Sequence, residues 1–427
     1  MGLINRIFKG DRSTWIIFML LCLVSLVEVY SATSTLAYRN AYFWTPIARH
    51  ATFLLMGSGA VILLHNIPSR FYVFALILLP LSIILLALTP FFGVSINESY
   101  RWFDFFGIQF QPSEIAKIAC IVFVAFMLSR QDLISPNKIF WIIMFFVCIT
   151  CALILPENFS TAILLFVVCF LMMFVGQLPW KKLVMTIVVL GLFGGFMFVS
   201  FRSMSDEFAR NNLPTILIKV KGRIDDFGVD KSENKFIIND DNFQVSHAKI
   251  AIARGGIIGK LPGRSIQRDY LPQAYSDFIY AIIIEEMGLL GGFGVLMLYV
   301  ILLIRVGVIA RRCKKEFPKY LALGCGLLIV IQAFINMAVA VNLIPVTGQP
   351  LPLISRGGTS TLITCFYFGI ILSVSRFGAG MGEEVDDDNE PKEITASDET
   401  DSPEVAGSAS DDATENNEPA NDEAIMV

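Results

Sequence analysis

Charge is scarce in this chain. Only 16% of its 427 residues are Asp, Glu, Lys or Arg, against about a quarter in soluble globular proteins, so an ordinary water-facing surface is excluded. Histidine is nearly absent: His50, His65 and His247 stand far apart, which leaves no His-rich metal site. The eight cysteines form no framework. Seven lie in apolar runs and Cys313 in a basic loop, none in a segment assigned below to the outside, so a disulfide scaffold is excluded. There is no internal repeat of the kind many transporters carry. The first apolar run is followed by no small-residue cleavage site, so it reads as a span and not as a removable signal. What fills the chain is apolar: 55% of it is hydrophobic, with a mean hydropathy of +0.64. These figures predict an all-α polytopic membrane protein.

Ten apolar runs approach the roughly 20 residues that a span requires. They lie at 14–35, 47–65, 71–92, 111–129, 139–155, 159–178, 183–202, 277–304, 319–343 and 356–377. The fifth and sixth are separated by Pro156, Glu157 and Asn158, read as a tight hairpin. Placing the N-terminus inside puts 15 Lys and Arg in cytosolic segments against four in the short outer ones, as the positive-inside rule asks. The organisation expected is a cytosolic start (1–13), seven helices (14–202) and one long extracytoplasmic loop (203–276) before the eighth helix. Three more helices (277–377) and an acidic cytosolic tail (378–427) complete it. The loop's apolar stretches at 214–220 and 245–258 predict that it folds back over the bundle. Residues 383–427 hold 17 acidic residues and one basic residue, cannot bury a core, and are expected to be disordered.

Polar residues at membrane depth are costly and therefore functional candidates. The first group is Arg101, Gln111, Ser113, Glu114 and Lys117. Pro112 suits a first helical turn, and Glu114 and Lys117, three apart, share a face. They read equally as a self-neutralising pair or as a holder of an anionic substrate. The second group surrounds Asp277, at the mouth of the eighth span. Alone, Asp277 reads as a helix N-cap beside Ser276. Lys260, Arg264 and Arg268 upstream form a cationic run able to receive phosphate, while Glu285 and Glu286 read as buried structural carboxylates. The third group is Thr347, Ser355, Gly357 and Gly358, in a Pro- and Gly-rich segment. Such a segment must be buried or line a cavity, and its Gly pair can present N–H groups to an anion.

In this order the groups resemble the SEDS (FtsW/RodA) family of bacterial cell-wall polymerases. The matching pieces are Arg101-Trp102, QPSExxK at 111–117, Gly255-Gly256 with Gly259, Ser276-Asp277-Phe278-Ile279-Tyr280 with EExG at 285–288, and PVTGxxLPxxSxGGTS at 345–360. The resemblance covers most of residues 15–377. Arg356 makes the last motif similar to the FtsW, or cell-division, branch. The resemblance implies a peptidoglycan glycosyltransferase that polymerises lipid II into glycan strands on the outer face of the cytoplasmic membrane, at the septum; the charge distribution has already put both termini in the cytosol. It implies Asp277 as the catalytic general base and an inverting displacement that releases undecaprenyl pyrophosphate. Arg101, Gln111, Ser113, Glu114, Lys117, Lys260, Arg264, Thr347, Ser355, Gly357 and Gly358 are the implied substrate-binding residues.

No cofactor is fixed by the sequence; a divalent cation such as Mg2+ is a further candidate for countering pyrophosphate charge. The implied partners are lipid II, the growing strand, a class B penicillin-binding protein and other divisome proteins, with no nucleic acid. One departure stands out: where the family has an aspartate near the start of the sixth span, this chain has Asn158. The competing readings are a flippase for the same lipid and a non-catalytic scaffold recruiting a transpeptidase.

Overall fold

The computed structural model describes residues 8–33, 45–96, 99–105, 108–204, 217–218, 221–222, 238, 242–271 and 274–378. The acidic tail and much of the long loop, including the stretch at 214–220 apart from residues 217 and 218, lie outside them. Each of the ten apolar runs holds a helix. In chain order these are α1 (Arg12–Ala32), α2 (Thr45–His65), α3 (Leu78–Phe92, entered through a 3-10 turn at Ser69–Ile77), α4 (Pro112–Leu128), α5 (Pro136–Ile154), α6 (Phe159–Val175) and α7 (Trp180–Ser203). The loop contributes α8 (Phe243–Gly255), and α9 (Ile279–Arg312), α10 (Glu316–Ala340) and α11 (Thr359–Phe377) follow. Among the described residues, eight helical segments are long and apolar enough to cross a membrane. The remaining two of the ten, α4 and α6, have 17 residues each, at the lower end of what a crossing takes.

A small antiparallel sheet absent from the sequence expectation joins α3 to α4. Its strands β1 (Val94–Ile96), β2 (Ser99–Phe105) and β3 (Ile108–Phe110) run in the order β1-β2-β3. Phe103 pairs with Phe110 across β2 and β3, their rings stacked at 5.9 Å.

The core is built on α10 and α11, whose side chains are buried on most faces. Helices α2 and α11 approach so closely that a Cβ at Gly57 would lie 2.5 Å from Cys365 Sγ, a small-residue contact of the kind that joins helices in lipid. At the opposite extreme, α7 is exposed along nearly its whole length.

The predicted fold-back of the loop is present over 243–271, and its mechanism is a broken helix. Gly288 interrupts α9 with φ 71° and ψ −177°, which frees backbone groups that must find partners. The loop supplies them. Lys260 N donates to Glu285 O (3.0 Å), Leu261 N to Glu286 O (2.8 Å), Leu289 N to Gly256 O (3.0 Å) and Leu290 N to Ile257 O (3.2 Å). Glycine is required on both sides of this clasp. A Cβ at Gly259 (φ +88°) would sit 2.3 Å from Glu286 O, and one at Gly288 only 2.2 Å from Ile257 O.

Candidate active site

Asp277 lies half-buried in the turn that leads into α9. The helix begins one residue later than a cap at Asp277 needs: its N-cap is Phe278, with no side-chain cap hydrogen bond. Ser276 Oγ donates to its Oδ1 at 2.9 Å, and a Cβ built on Gly348 (φ +68°) would stand 3.7 Å from its Oδ2. The segment after α10 thus passes directly against the carboxylate, and glycine there keeps the approach open.

Polar side chains the sequence reading passed over fix that approach. Asn336 Nδ2 in α10 donates to both Asp277 O (2.9 Å) and Gln349 O (2.8 Å). Gln332, one turn earlier on the same face, donates to Pro350 O at 3.0 Å, and Gln349 Nε2 donates to Thr161 Oγ1 of α6 at 2.9 Å. The signal was available: two carboxamides at i and i+4 in an otherwise apolar helix. Ser355, a predicted residue, is the second tie. Its Oγ accepts from Leu351 N (2.8 Å) and donates to Ser276 O (2.6 Å).

Positive charge enters through Arg356, whose N–H donates to Tyr275 O at 3.0 Å and whose guanidinium lies 5.3 Å from the Tyr275 ring centroid. Burial lowers its pKa from the usual guanidinium value; Tyr275 opposes that shift and Arg49 adds to it. Gly357 and Gly358 follow at the start of α11, which has no side-chain cap, so its N-terminal dipole faces the same region. Beneath the loop, Thr347 lines an apolar cavity of about 480 Å³ formed with Phe159, Ile163, Phe198, Phe201 and Ile335.

The other predicted residues are distributed more widely. Gln111 is the N-cap residue of α4, and Ser113 is fully buried, its Oγ without a hydrogen-bond partner. Lys117 Nζ meets Glu114 Oε1 at 2.8 Å, the lysine only 1% exposed, so the pair expected from their spacing forms inside the bundle. Arg101 has its backbone in β2, but its side chain lies outside the described residues, as do Pro272 and Gln273. Lys260 and Arg264 are exposed on the clasp.

Arg268 instead turns inward, donating to Ser31 O (3.2 Å) and Ser31 Oγ (2.9 Å), with Glu286 Oε1 at 4.0 Å. Glu285 and Glu286 are both fully buried and hold the loop. Glu285 accepts from Ser265 Oγ, Ile266 N and Gln267 N, and Glu286 from Ser31 Oγ, Gly263 N and Ser265 N. Asn158 also has a clear physical task. It is the N-cap of α6, its Oδ1 accepting from Thr161 N at 3.3 Å, a role that Asn and Asp fill alike.

Among the described residues, no group of three or more His, Cys, Asp or Glu side chains could hold a metal ion. The described residues therefore form no protein cage for a divalent cation.

The chain matches the family model described as cell cycle protein (FtsW, RodA, SpoVE) over residues 11–379. The probable peptidoglycan glycosyltransferase FtsW of Haemophilus influenzae is 31% identical over 375 residues, covering 85% of this chain and 90% of that protein. The peptidoglycan glycosyltransferase MrdB of Escherichia coli K12 is 30% identical over 326 residues, covering 75% and 83%. Among solved structures, the Thermus thermophilus rod shape determining protein RodA superposes with a TM-score of 0.62 at 23% identity, over 87% of this chain and 98% of that one. A chain from a peptidoglycan synthase complex that coordinates polymerization and crosslinking gives 0.65 at 23% identity, over 86% and 98%. The match along almost the entire membrane body places this bacterial membrane protein in the FtsW/RodA/SpoVE cell cycle protein family.

Proposed function

We propose that this protein is a peptidoglycan glycosyltransferase that polymerises lipid II at the outer face of the cytoplasmic membrane during cell division. The observation that carries the reading is the placement of Asp277. Its carboxylate faces the backbone of Gly348, near the half-buried Arg356 and an uncapped helix N-terminus, with Thr347 beside Gly348 lining an apolar cavity. Each part has a task in glycosyl transfer. The carboxylate accepts the proton of the acceptor sugar's 4-hydroxyl as that oxygen attacks the donor's anomeric carbon. The bond to pyrophosphate breaks from the opposite side, so an α-linked donor becomes a β-linked unit of the strand.

The departing pyrophosphate needs positive potential more than it needs an acid. Arg356 and the α11 N-terminus are suited to this, with Arg101, Lys117, Lys260 and Arg264 as further contributors to binding. Gln111, Ser113, Glu114, Thr347 and Ser355 would shape the same site. The apolar cavity suits the isoprenoid chain. Septal location, cytosolic termini and the charge-based assignment of sides belong to the same reading. So does a partner transpeptidase of the class B penicillin-binding type, which the likeness to a synthase complex favours.

The test is polymerisation of labelled lipid II by the purified protein and its Asp277→Asn variant. Asn matches Asp in size and α9 does not use Asp277 as its cap, so folding is expected to survive. The rate is expected to fall by about 10²–10⁴-fold. Near-normal strand synthesis by the variant would sink the assignment and return the flippase or scaffold reading to first place.

A further inference from the structure

At the end of the bundle away from Asp277 lies a second pocket, whose chemistry is different. Helix α6 starts beside Gln349, through Thr161, and its 17 residues carry the chain about 25 Å before α7 begins. There, an open pocket of about 600 Å³ is lined by Asn137, Lys138, Trp141, Ile142 and Lys182. None of these is a carboxylate. Lys138 and Trp141, three apart on α5, share a face. Lys182 of α7 reaches across with its Nζ 5.3 Å from the Trp141 ring and 5.5 Å from that of Phe140, an aromatic setting that holds an ammonium in place.

The backbone adds to this field. Both α5 and α7 start at the pocket, and neither has a side-chain cap hydrogen bond at its N-cap, Ser135 or Pro179. Two positive helix ends and two ammonium groups therefore converge at one opening. Trp141 and Trp180 are exposed beside it, the position aromatic residues take at a membrane boundary. From the opening, the exposed apolar face of α7 (Val184, Met185, Val188) runs toward the bilayer core.

We infer that this pocket binds the phosphodiester head group of an anionic glycerophospholipid in the leaflet opposite the catalytic loop, its acyl chains lying along α7. Charge complementarity selects the phosphate, and the continuous apolar track selects a lipid over a soluble anion. Basic pockets between helices on the cytoplasmic side are suited to such head groups. A zwitterionic lipid would bring a compensating cation into the same positive field.

Trp141 is itself the reporter. The full-length protein in detergent is mixed with acyl-brominated phosphatidylglycerol or acyl-brominated phosphatidylcholine, and the quenching lost in a Trp141→Phe variant is assigned to the site. The anionic lipid is expected to bind roughly 10- to 30-fold more tightly, as two nearby lysines would give. The preference should fall to about one in a Lys138→Gln/Lys182→Gln variant. It should persist in Lys138→Arg/Lys182→Arg and in Lys314→Gln/Lys315→Gln, which removes two basic charges elsewhere. Equal quenching by the two lipids in the unaltered protein overturns the site, whatever the variants do. A preference retained in the Lys138/Lys182 Gln variant, or lost as much in the Lys314/Lys315 variant, reduces it to general surface potential. Its abolition by millimolar inorganic phosphate would show a bare anion site with no lipid role.

Discussion

Replacing Gly288 with alanine should unlatch the loop from α9. The position has φ 71° and ψ −177°, a region that residues with a Cβ occupy at a cost of about 1–3 kcal/mol. The added Cβ would also lie 2.2 Å from Ile257 O and 2.5 Å from Gly259 N. Both are backbone atoms inside the clasp, so relief requires the two segments to separate. Separation strains the bonds from Leu289 N and Leu290 N to the loop, each worth about 1 kcal/mol net. The combined loss is about 3–5 kcal/mol, equivalent in a chain of this size to a fall in melting temperature of roughly 3–6 °C.

Gly294, on the same helix, is the internal control. A Cβ there meets nothing within 4 Å, so alanine should be neutral or add up to about 1 kcal/mol through helix propensity. The assay is thermal unfolding of both purified variants, with limited proteolysis of the 256–268 segment alongside. Gly288→Ala should melt early and be cleaved faster there. If it melts with the unaltered protein and resists cleavage, the clasp does not hold the loop and the reasoning fails.

Two further outcomes are expected. Burial raises the Asp11 pKa, but hydrogen bonds from Arg305 and Thr14 outweigh it and leave the carboxyl below its ordinary value. That contribution is present above the unfolded pKa and is lost as pH falls through the folded one. The melting difference between the unaltered protein and Asp11→Asn should therefore be about 1 kcal/mol at neutral pH, the pair being partly solvated, and shrink below about pH 4. In the proposed assignment of sides residues 378–427 are cytosolic, so a reporter active only in the periplasm and fused after Met381 should stay silent. Strong activity would reverse the assignment of sides.

The spans were legible because burial in lipid writes a long, simple signal into the sequence. The sheet was not. Its strands β1 and β3 have three residues each, too few for an alternation to stand out between two spans, and its register comes from pairing across turns. The break in α9 was hidden for a related reason. Residues 279–312 read as continuous apolar helix, and only the loop folding back supplies partners for the carbonyls of Glu285 and Glu286. Gly255, Gly259 and Gly288 were visible as motif letters, yet their task, close backbone approach, exists only once the two segments meet. Asp277 shows how fine the margin is. A cap reading was reasonable from residue type, and a helix start displaced by one residue removed it.

Asp277 and the two glutamates on α9 also show why carboxylates near one site part in role. Glu285 and Glu286 are fully buried, and each accepts three hydrogen bonds that bind the loop to α9 and α1. Carboxylates so committed serve the structure, because releasing them would break contacts that hold the clasp together. Asp277 is half-buried instead, and its surroundings are held mostly through backbone carbonyls. Asn336 donates to Asp277 O and Ser355 to Ser276 O, so the turn is rigid while the carboxylate itself faces Gly348. In the proposed reading Asn336 and Ser355 act as positioning residues for Asp277, while the Glu pair holds the loop to α9 and α1.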